Sequence, residues 1–544
     1  MIPAPTHLVE NQPAAPAARN LWGEDAALRD HAAAAGADGP HLARFAAQIG
    51  SAAMRAAGQE ANRHPPALEA FGRDGRRRDQ VQFHPAYHRL MAAGIAAGYA
   101  ALPWAGGAGG HATHAAMVYL TSQVEPGVCC PMTMTYAAVP ALGADPALAA
   151  RWLPKLTARS YDPSARPLSV KPGATMGMAM TEKQGGSDLR GTSTSAVPDG
   201  AGYRLTGHKW FCSAPMSDGF LTLAQAPGGL TCFVVPRWLE DGTQNPLHLM
   251  RLKDKLGNRA NASAELEFPG TWAERLGEEG AGVRTIIAMV HHTRLDTAMA
   301  PAGLMRAALA EAVWWCQGRT AFQRRLIDQP LMAAVLADLA LDAEGALALG
   351  LHVARAFDAG DRGFARIGVA LAKYLSNKRC PTVVAEAMEC LGGMGYVEET
   401  GLPLLYREAP LNGIWEGSGN VICLDILRSL ARDDAARAAL DRELDAARGA
   451  DRAYDAALAE ARARWTGLPA KAEARAFAER LAALLTASVL IRNAPGPVAD
   501  GYAATRLGRD RGLTPGAVAG LDAAGVLARL VPAGYAGPEQ GGAP

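Results

Sequence analysis

The chain has 544 residues, length for roughly three to four domains at about 150 residues each. Lys and Arg number 54 against 53 Asp and Glu, which excludes nucleic-acid binding through bulk charge and leaves room only for a local basic patch. Apolar residues make up 49% and charged residues 20%, the balance of a folded globular protein rather than a disordered one.

In chain order, a Pro/Ala-rich strap leads into Asp25-AALRDHAAAA, a helix capped near its start. Residues 1–13 show no charged segment followed by an apolar run, so no leader peptide is expected. The segment Asn62–Asp79 is rich in turn residues, and Phe83-HPAYHRLM resumes helical spacing, with more helix to about residue 160. From Ala174 to about Phe268, short runs such as TCFVVP and SAELEF alternate with Gly, Asn and Asp turns, the pattern of an antiparallel sheet. Long helical patterns return at Val283–Gln317, Leu331–Asp358, Phe364–Leu391 and Ile422–Leu430. The final stretch, 433–544, is Ala-rich and amphipathic to Asn493, then rich in Pro and Gly. The order is helical, β, helical, with no internal repeat.

The eight cysteines are scattered without a C-x-x-C pair, which predicts buried thiols in a reducing compartment. The uncharged stretch Met91–Gly110 reads as a buried helix running into a loop, not a membrane span, and the cytoplasm is the default location. His84 and His88 share a helix face, but the Glu of H-E-x-x-H is missing, so no metal site is expected.

The string Ala179-MTEKQGGSDLRG carries most chemical information. Gly185 and Gly186 let the backbone approach a flat ligand or a phosphate, and Thr181 and Ser187 add hydroxyls. Taken alone, G-G-S-D is an ordinary β-turn. A second string, Glu389-CLGGMGYVEETGLPLLYRE, lies about 200 residues on. Together they resemble the two signatures of the acyl-CoA dehydrogenase family, with Leu404 standing where the second wants Lys or Arg and Arg407 three residues further. The resemblance runs from residue 8 to about 432. Strings such as Phe83-HPAYH, Arg251-LKDKLGNRANAS and Ile414-WEGSGN are similar to the adaptive-response, alkylation-damage branch of that family.

The resemblance implies an α+β fold: N-terminal helical domain (1–173), central antiparallel β domain (174–272), C-terminal helical bundle (273–432) and an extra C-terminal helical domain (433–544). It implies FAD, held by Met178, Met180, Thr181, Gly186, Ser187, Phe211, Cys212, Ser213, Arg319, Gly393, Ile414, Trp415, Gly417, Ser418 and Asn420. Phe211 takes the place of a stacking Trp and Ser213 that of a Thr beside flavin N5. In the family, Arg319 would reach FAD pyrophosphate across a subunit interface; as a helix-end residue it would also complement the dipole. Gln323 replaces the Gly usual in that loop. Removing a thioester α-proton needs a base, and Glu416 matches the family's, with apolar walls expected to raise its pKa. Some branches carry the Glu on another helix just before an Arg; here that pair is Thr293-Arg294, leaving Glu416 as the base and Arg294 as pocket organiser or as ion-pair partner of Asp296.

The same resemblance implies a homotetramer, an acyl-CoA or other small substrate, and double-stranded DNA bound through Arg428 and Arg432, one helical turn apart. A third basic position falls within Arg506–Arg511. The alternative for these arginines is a solvated helix end. Two functions are implied: a DNA-associated flavoprotein of the alkylation response with weak dehydrogenase activity, or a metabolic acyl-CoA dehydrogenase whose tail serves assembly. A nitroalkane-type oxidase would favour Asp over Glu as base. From 431 to 544 there are 15 basic and 14 acidic residues, so any DNA affinity must come from the placement of a few arginines.

Overall fold

The computed structural model describes residues 6–508 and 510–531; residues 1–5 of the expected leaderless N-terminus lie outside them. The chain divides into two compact units, Ala53–Thr297 with Trp415–Val421, and Met1–Ala52 with Ala298–Ile414 and Ile422–Pro544.

In the first unit, the sheet unit, the helix Ala52–Arg63 leads into a hairpin of β1 (Ala67–Phe71) and β2 (Arg77–Gln82), where the sequence reads as turn-rich. Helices Pro85–Ala96, Gly110–Ser122, Cys129–Leu142 and Pro146–Leu156 follow. His84 accepts from Ala86 N at the start of the first, and His88 bonds the Tyr161 hydroxyl at 2.8 Å. The sheet contains β3 (Met176–Ala179), β4 (Ser195–Asp199), β5 (Gly202–Ser213), β6 (Gly219–Ala226), β7 (Gly229–Pro236), β8 (His248–Leu252) and β9 (Ser263–Leu276). Its order is β3-β6-β4-β5-β9-β7 with β8 on β9, and β7 pairs back onto β6. Strands β6, β4, β5, β9 and β7 therefore close on themselves, which leaves β3 and β8 as the edge strands. The sheet is mainly antiparallel, but β3 and β4 each join β6 in parallel. The reason is connectivity: neither reaches β6 through a hairpin turn.

Strand alternation divides the apolar side chains between two cores. On β7, Phe233 and Val235 face one cluster with Phe220 and Phe268, while Cys232 and Val234 face the other. That second cluster takes Leu148 and Trp152 from the Pro146–Leu156 helix and Met134 and Tyr136 from the Cys129–Leu142 helix. Helix and sheet approach closely at Gly219, where a Cβ would lie 2.4 Å from the Trp152 ring.

The second unit is helical. Its longest elements are Pro330–Asp358 and Arg362–Glu389, joined by Asp434–Asp445, Arg452–Arg464 and Ala474–Asn493. The Gly282–Gly318 helix runs through the division between the units. The C-terminal segment is tied to the Pro330–Asp358 helix by buried charges. Arg506 donates to Asp342 Oδ1 at 3.1 Å and to the Asp338 carbonyl at 2.7 Å, and Arg511 reaches Asp338 Oδ2 at 3.2 Å. Arg379 completes the cluster on Asp342. Burial opposes ionisation of Asp342, yet the Arg506 and Arg379 cations hold its carboxyl below the ordinary range. All eight cysteines are buried and free.

Asp338→Ala removes one of the two buried carboxylates that Arg506 and Arg511 share and leaves Asp342 alone facing three arginines, which should cost up to about 3–5 kcal/mol. A denaturant melt should show the lower midpoint, and limited proteolysis should cut within 503–531. An unchanged midpoint would contradict this anchoring.

Candidate active site

In the sheet unit the segment Trp415–Val421 meets the helix Gly282–Gly318 around one residue, Glu416. Glu416 has φ 56, a left-handed conformation that costs an L residue about 1–2 kcal/mol, and Gly417 follows at φ 102. Two consecutive helix residues hold this turn. Thr293 Oγ1 donates to Glu416 Oε2 at 2.7 Å, and Arg294 Nε donates to the Glu416 carbonyl at 3.1 Å. Asp296, the alternative partner expected for Arg294, accepts from His114 Nε2 at 2.8 Å and from Thr133. His114 Nδ1 meets the Tyr99 carbonyl at 2.7 Å, so both of its nitrogens face an oxygen.

The Thr181–Ser187 loop rests on a buried ion pair. Glu182 accepts from Lys209 Nζ at 2.7 Å, Thr194 Oγ1 at 2.6 Å, Ser193 Oγ at 2.8 Å and Ser193 N at 2.7 Å. Burial alone would raise its pKa, but these donors hold it down at about 2. For the Lys209 ammonium burial wins and lowers the pKa. Above the pair, Gly186 packs so tightly that a Cβ would lie 2.5 Å from Thr181 Oγ1. Strand β5 then places Phe211 outward, 48% exposed, and Ser213 half-buried, while the Cys212 thiol points into the sheet core. Cys212 can therefore offer a ligand only its main chain. Cys130 lies close by. Burial pushes its thiol up to about 12, the Ser213 hydroxyl and Lys255 oppose this, and the charge of Glu416 adds to it. Met178, Met180 and Trp415 all pack on the apolar cluster that contains Cys130. Ser187 and Asn420 are exposed, and Gly417 and Ser418 half-buried.

Four rings cluster around His292, the residue before Thr293, a feature with no motif to announce it. The Trp104 ring centroid lies 5.1 Å from His111, 5.5 Å from Tyr136 and 5.5 Å from His292. Burial lowers His111 to about 3, with His292 and His114 adding to the effect, and lowers His292 to about 4, so both are neutral at neutral pH.

In the helical unit, Arg319 donates to the Asn11 carbonyl at 2.7 Å. Phe322 and Gln323 form a two-residue turn with φ 50 and 62, so Gln323 takes the left-handed position that a Gly would occupy without strain. Gly393 is exposed, Ile414 is 65% exposed, and Arg407 is paired with Glu398. Arg428 is 60% exposed, 3.6 Å from Asp425, and Arg432 is exposed at the end of the Gly419–Arg432 helix. Arg506 and Arg511 are the exception among the expected DNA contacts. Their side chains are engaged by Asp338 and Asp342, and Arg509 lies outside the described residues.

Three family models match the chain in order: the adaptive response protein AidB N-terminal domain over residues 11–163, the acyl-CoA dehydrogenase middle domain over 177–271 and the acyl-CoA dehydrogenase C-terminal domain over 280–431. AidB of Escherichia coli (strain K12), named as an acyl-CoA dehydrogenase, is 45% identical over 464 residues, covering 83% of this chain and 86% of its own. The chain belongs to the acyl-CoA dehydrogenase family, AidB type. Among solved structures, Caenorhabditis elegans ACDH-11 in complex with C11-CoA is similar with a TM-score of 0.81 at 27% identity, covering 92% of this chain and 91% of that one. The apo form of Bd2924 is similar with a TM-score of 0.79 at 30% identity, over 92% of this chain and 100% of that one.

Members of this family are FAD flavoproteins, and the chain is an FAD-dependent acyl-CoA dehydrogenase-type oxidoreductase. Its residues suit such a cofactor: a backbone cradle at Gly186 that leaves no room for a Cβ, and an uncovered aromatic at Phe211 beside a hydroxyl at Ser213.

Glu182→Gln keeps the shape of the loop but leaves the Lys209 ammonium without its counter-charge. The variant should lose FAD on gel filtration and melt earlier. Because the folded pKa of Glu182 lies near 2 against an ordinary 4.5, its stabilisation is complete above about 4.5 and is lost as pH falls toward 2. The acid limb of a stability–pH curve should therefore flatten in the variant, and an unaltered limb with full FAD content would contradict the assignment.

Proposed function

We propose that Glu416 is the base of a working acyl-CoA dehydrogenation site in a flavoprotein of the alkylation response. The observation that carries this reading is the clamp on Glu416, since an idle loop carboxylate has no need of a strained turn fixed from both ends. A CoA thioester would place its α-carbon against the Glu416 carboxylate, which takes the α-proton, while Thr293 keeps Oε2 in place and Arg294 holds the main chain. Bound FAD supplies the two-electron acceptor for the hydride that leaves the β-carbon. The contacts proposed for it in the sheet unit are Met178, Met180, Thr181, Gly186, Ser187, Phe211, the Cys212 main chain, Ser213, Trp415, Gly417, Ser418 and Asn420, and Arg319 is proposed to reach the FAD pyrophosphate of a neighbouring subunit. Asp in place of Glu would favour a nitroalkane-type oxidase; the Glu here supports the thioester reading.

Loss of a general base costs about 10²–10⁴-fold in rate. Anaerobic bleaching of the flavin by butyryl-CoA should therefore slow by that order in Glu416→Gln, with FAD content retained. Bleaching at the wild-type rate would remove Glu416 from the role.

Double-stranded DNA is the second proposed partner. It rests on the exposed pair Arg428 and Arg432, one helical turn apart, and on the likeness to AidB. With Arg506 and Arg511 engaged internally, two arginines per chain are few, so binding is expected to use several copies, as in the proposed cytoplasmic homotetramer. No helix among the described residues is long and apolar enough to cross a membrane. In a gel shift, affinity should fall steeply with salt, and Arg428→Ala/Arg432→Ala should reduce the salt slope by about 1 for each phosphate no longer neutralised. An unchanged slope would leave the metabolic dehydrogenase, with its tail serving assembly, as the better account.

A further inference from the structure

The position of the four-ring cluster bears on which acyl group the site accepts, provided that Glu416 acts on a CoA thioester as proposed above. For proton abstraction the α-carbon must come within about 3–3.5 Å of the Glu416 carboxylate, so the rest of the acyl group extends into whatever lies beside it. Thr293 Oγ1 sits 2.7 Å from that carboxylate, and the residue before it on the helix is His292. The His292 ring centroid is 5.5 Å from Trp104 and 5.6 Å from Tyr136, and Trp104 stacks on Tyr136 at 5.5 Å with its planes 29° apart. His111 closes the group, 5.1 Å from Trp104 and hydrogen-bonded to the Tyr136 hydroxyl at 2.8 Å. Rings at these separations are in contact, so the cluster is continuous and has no ring-wide gap.

The cluster is also anchored from behind. Tyr136 lies 3.8 Å from His114, which Asp296 and the Tyr99 carbonyl fix on both sides. Trp104 bears on the same apolar core as Trp415, the neighbour of Glu416. Its indole N–H is buried without a hydrogen-bond partner, a cost that a plain apolar residue would avoid and that folding alone does not call for. Packed interiors resist added methylenes, since the surrounding side chains must leave their rotamers to admit them. We infer that Trp104, His111, Tyr136 and His292 form the end wall of the acyl chamber and restrict the protein to short-chain acyl-CoA thioesters. Trp104 touches the other three rings and is the residue that sets the depth.

The test compares butyryl-CoA with decanoyl-CoA on the FAD-loaded full chain, by anaerobic flavin bleaching and by isothermal titration. Wild type should favour butyryl-CoA by at least about tenfold in both rate and affinity, the scale on which a pocket discriminates by chain length. Trp104→Ala should reduce that ratio by about tenfold, and Trp104→Phe should keep it. Should Trp104→Ala fail to fold, His111→Ala opens the same wall and should shift the ratio in the same direction. Equal handling of the two thioesters by wild type, or an unmoved ratio in a folded alanine variant, overturns the wall while leaving Glu416 intact. Binding without bleaching overturns the dehydrogenation reading, and the affinity ratio then decides the wall. Failure of both thioesters to bind overturns the wall and the dehydrogenation reading together.

Discussion

Glu416 adopts a left-handed backbone that an L residue accepts only when its surroundings enforce it, and the enforcement comes from a single turn of the Gly282–Gly318 helix. Within that turn Thr293 fixes the carboxylate, Arg294 fixes the main chain, His292 contributes to the ring cluster, and Asp296 orients His114 behind it. The register of these four residues therefore sets the base, the depth of the space beside it and the packing that supports both. Sliding the helix by one residue would carry every one of these side chains about 100° round the axis.

The sheet unit solves a complementary problem. A loop that meets a cofactor must expose backbone and hydroxyl groups, yet its conformation has to be set from below. The Glu182–Lys209 pair does this from inside the sheet, where Glu182 gathers donors from Ser193, Thr194 and Lys209 and so ties the loop to β5. Such a pair is a poor source of net stability, because two charges lose their hydration. Its value is geometric. The buried Asp338–Asp342 cluster of the helical unit works the same way, fixing the C-terminal segment while engaging two arginines that a charge count would assign to the surface.

Much of this is legible in the residues. The helical, β, helical order follows from periodicity, and the loop at Thr181–Ser187 and the Glu416 turn are continuous motifs whose residues remain near one another in the fold. The features that are not legible depend on partners far apart in sequence. The hairpin β1–β2 reads as turns because Pro65, Pro66 and the run Arg76–Arg78 mask its alternation. The internal pairing of Arg506 depends on acids about 170 residues earlier, and the ring cluster draws on residues from 104 to 292. Thr293 shows in the sequence only as the absence of a Glu, whereas in the fold it holds the Glu supplied from elsewhere.

The central claim is that Glu416 moves the α-proton, and the most direct measurement follows that proton alone. Purified holoprotein incubated anaerobically with butyryl-CoA in D₂O should wash deuterium into the thioester α-position, detected by proton NMR, at a rate that collapses in Glu416→Gln. Wash-in at the same rate in both proteins would contradict the account.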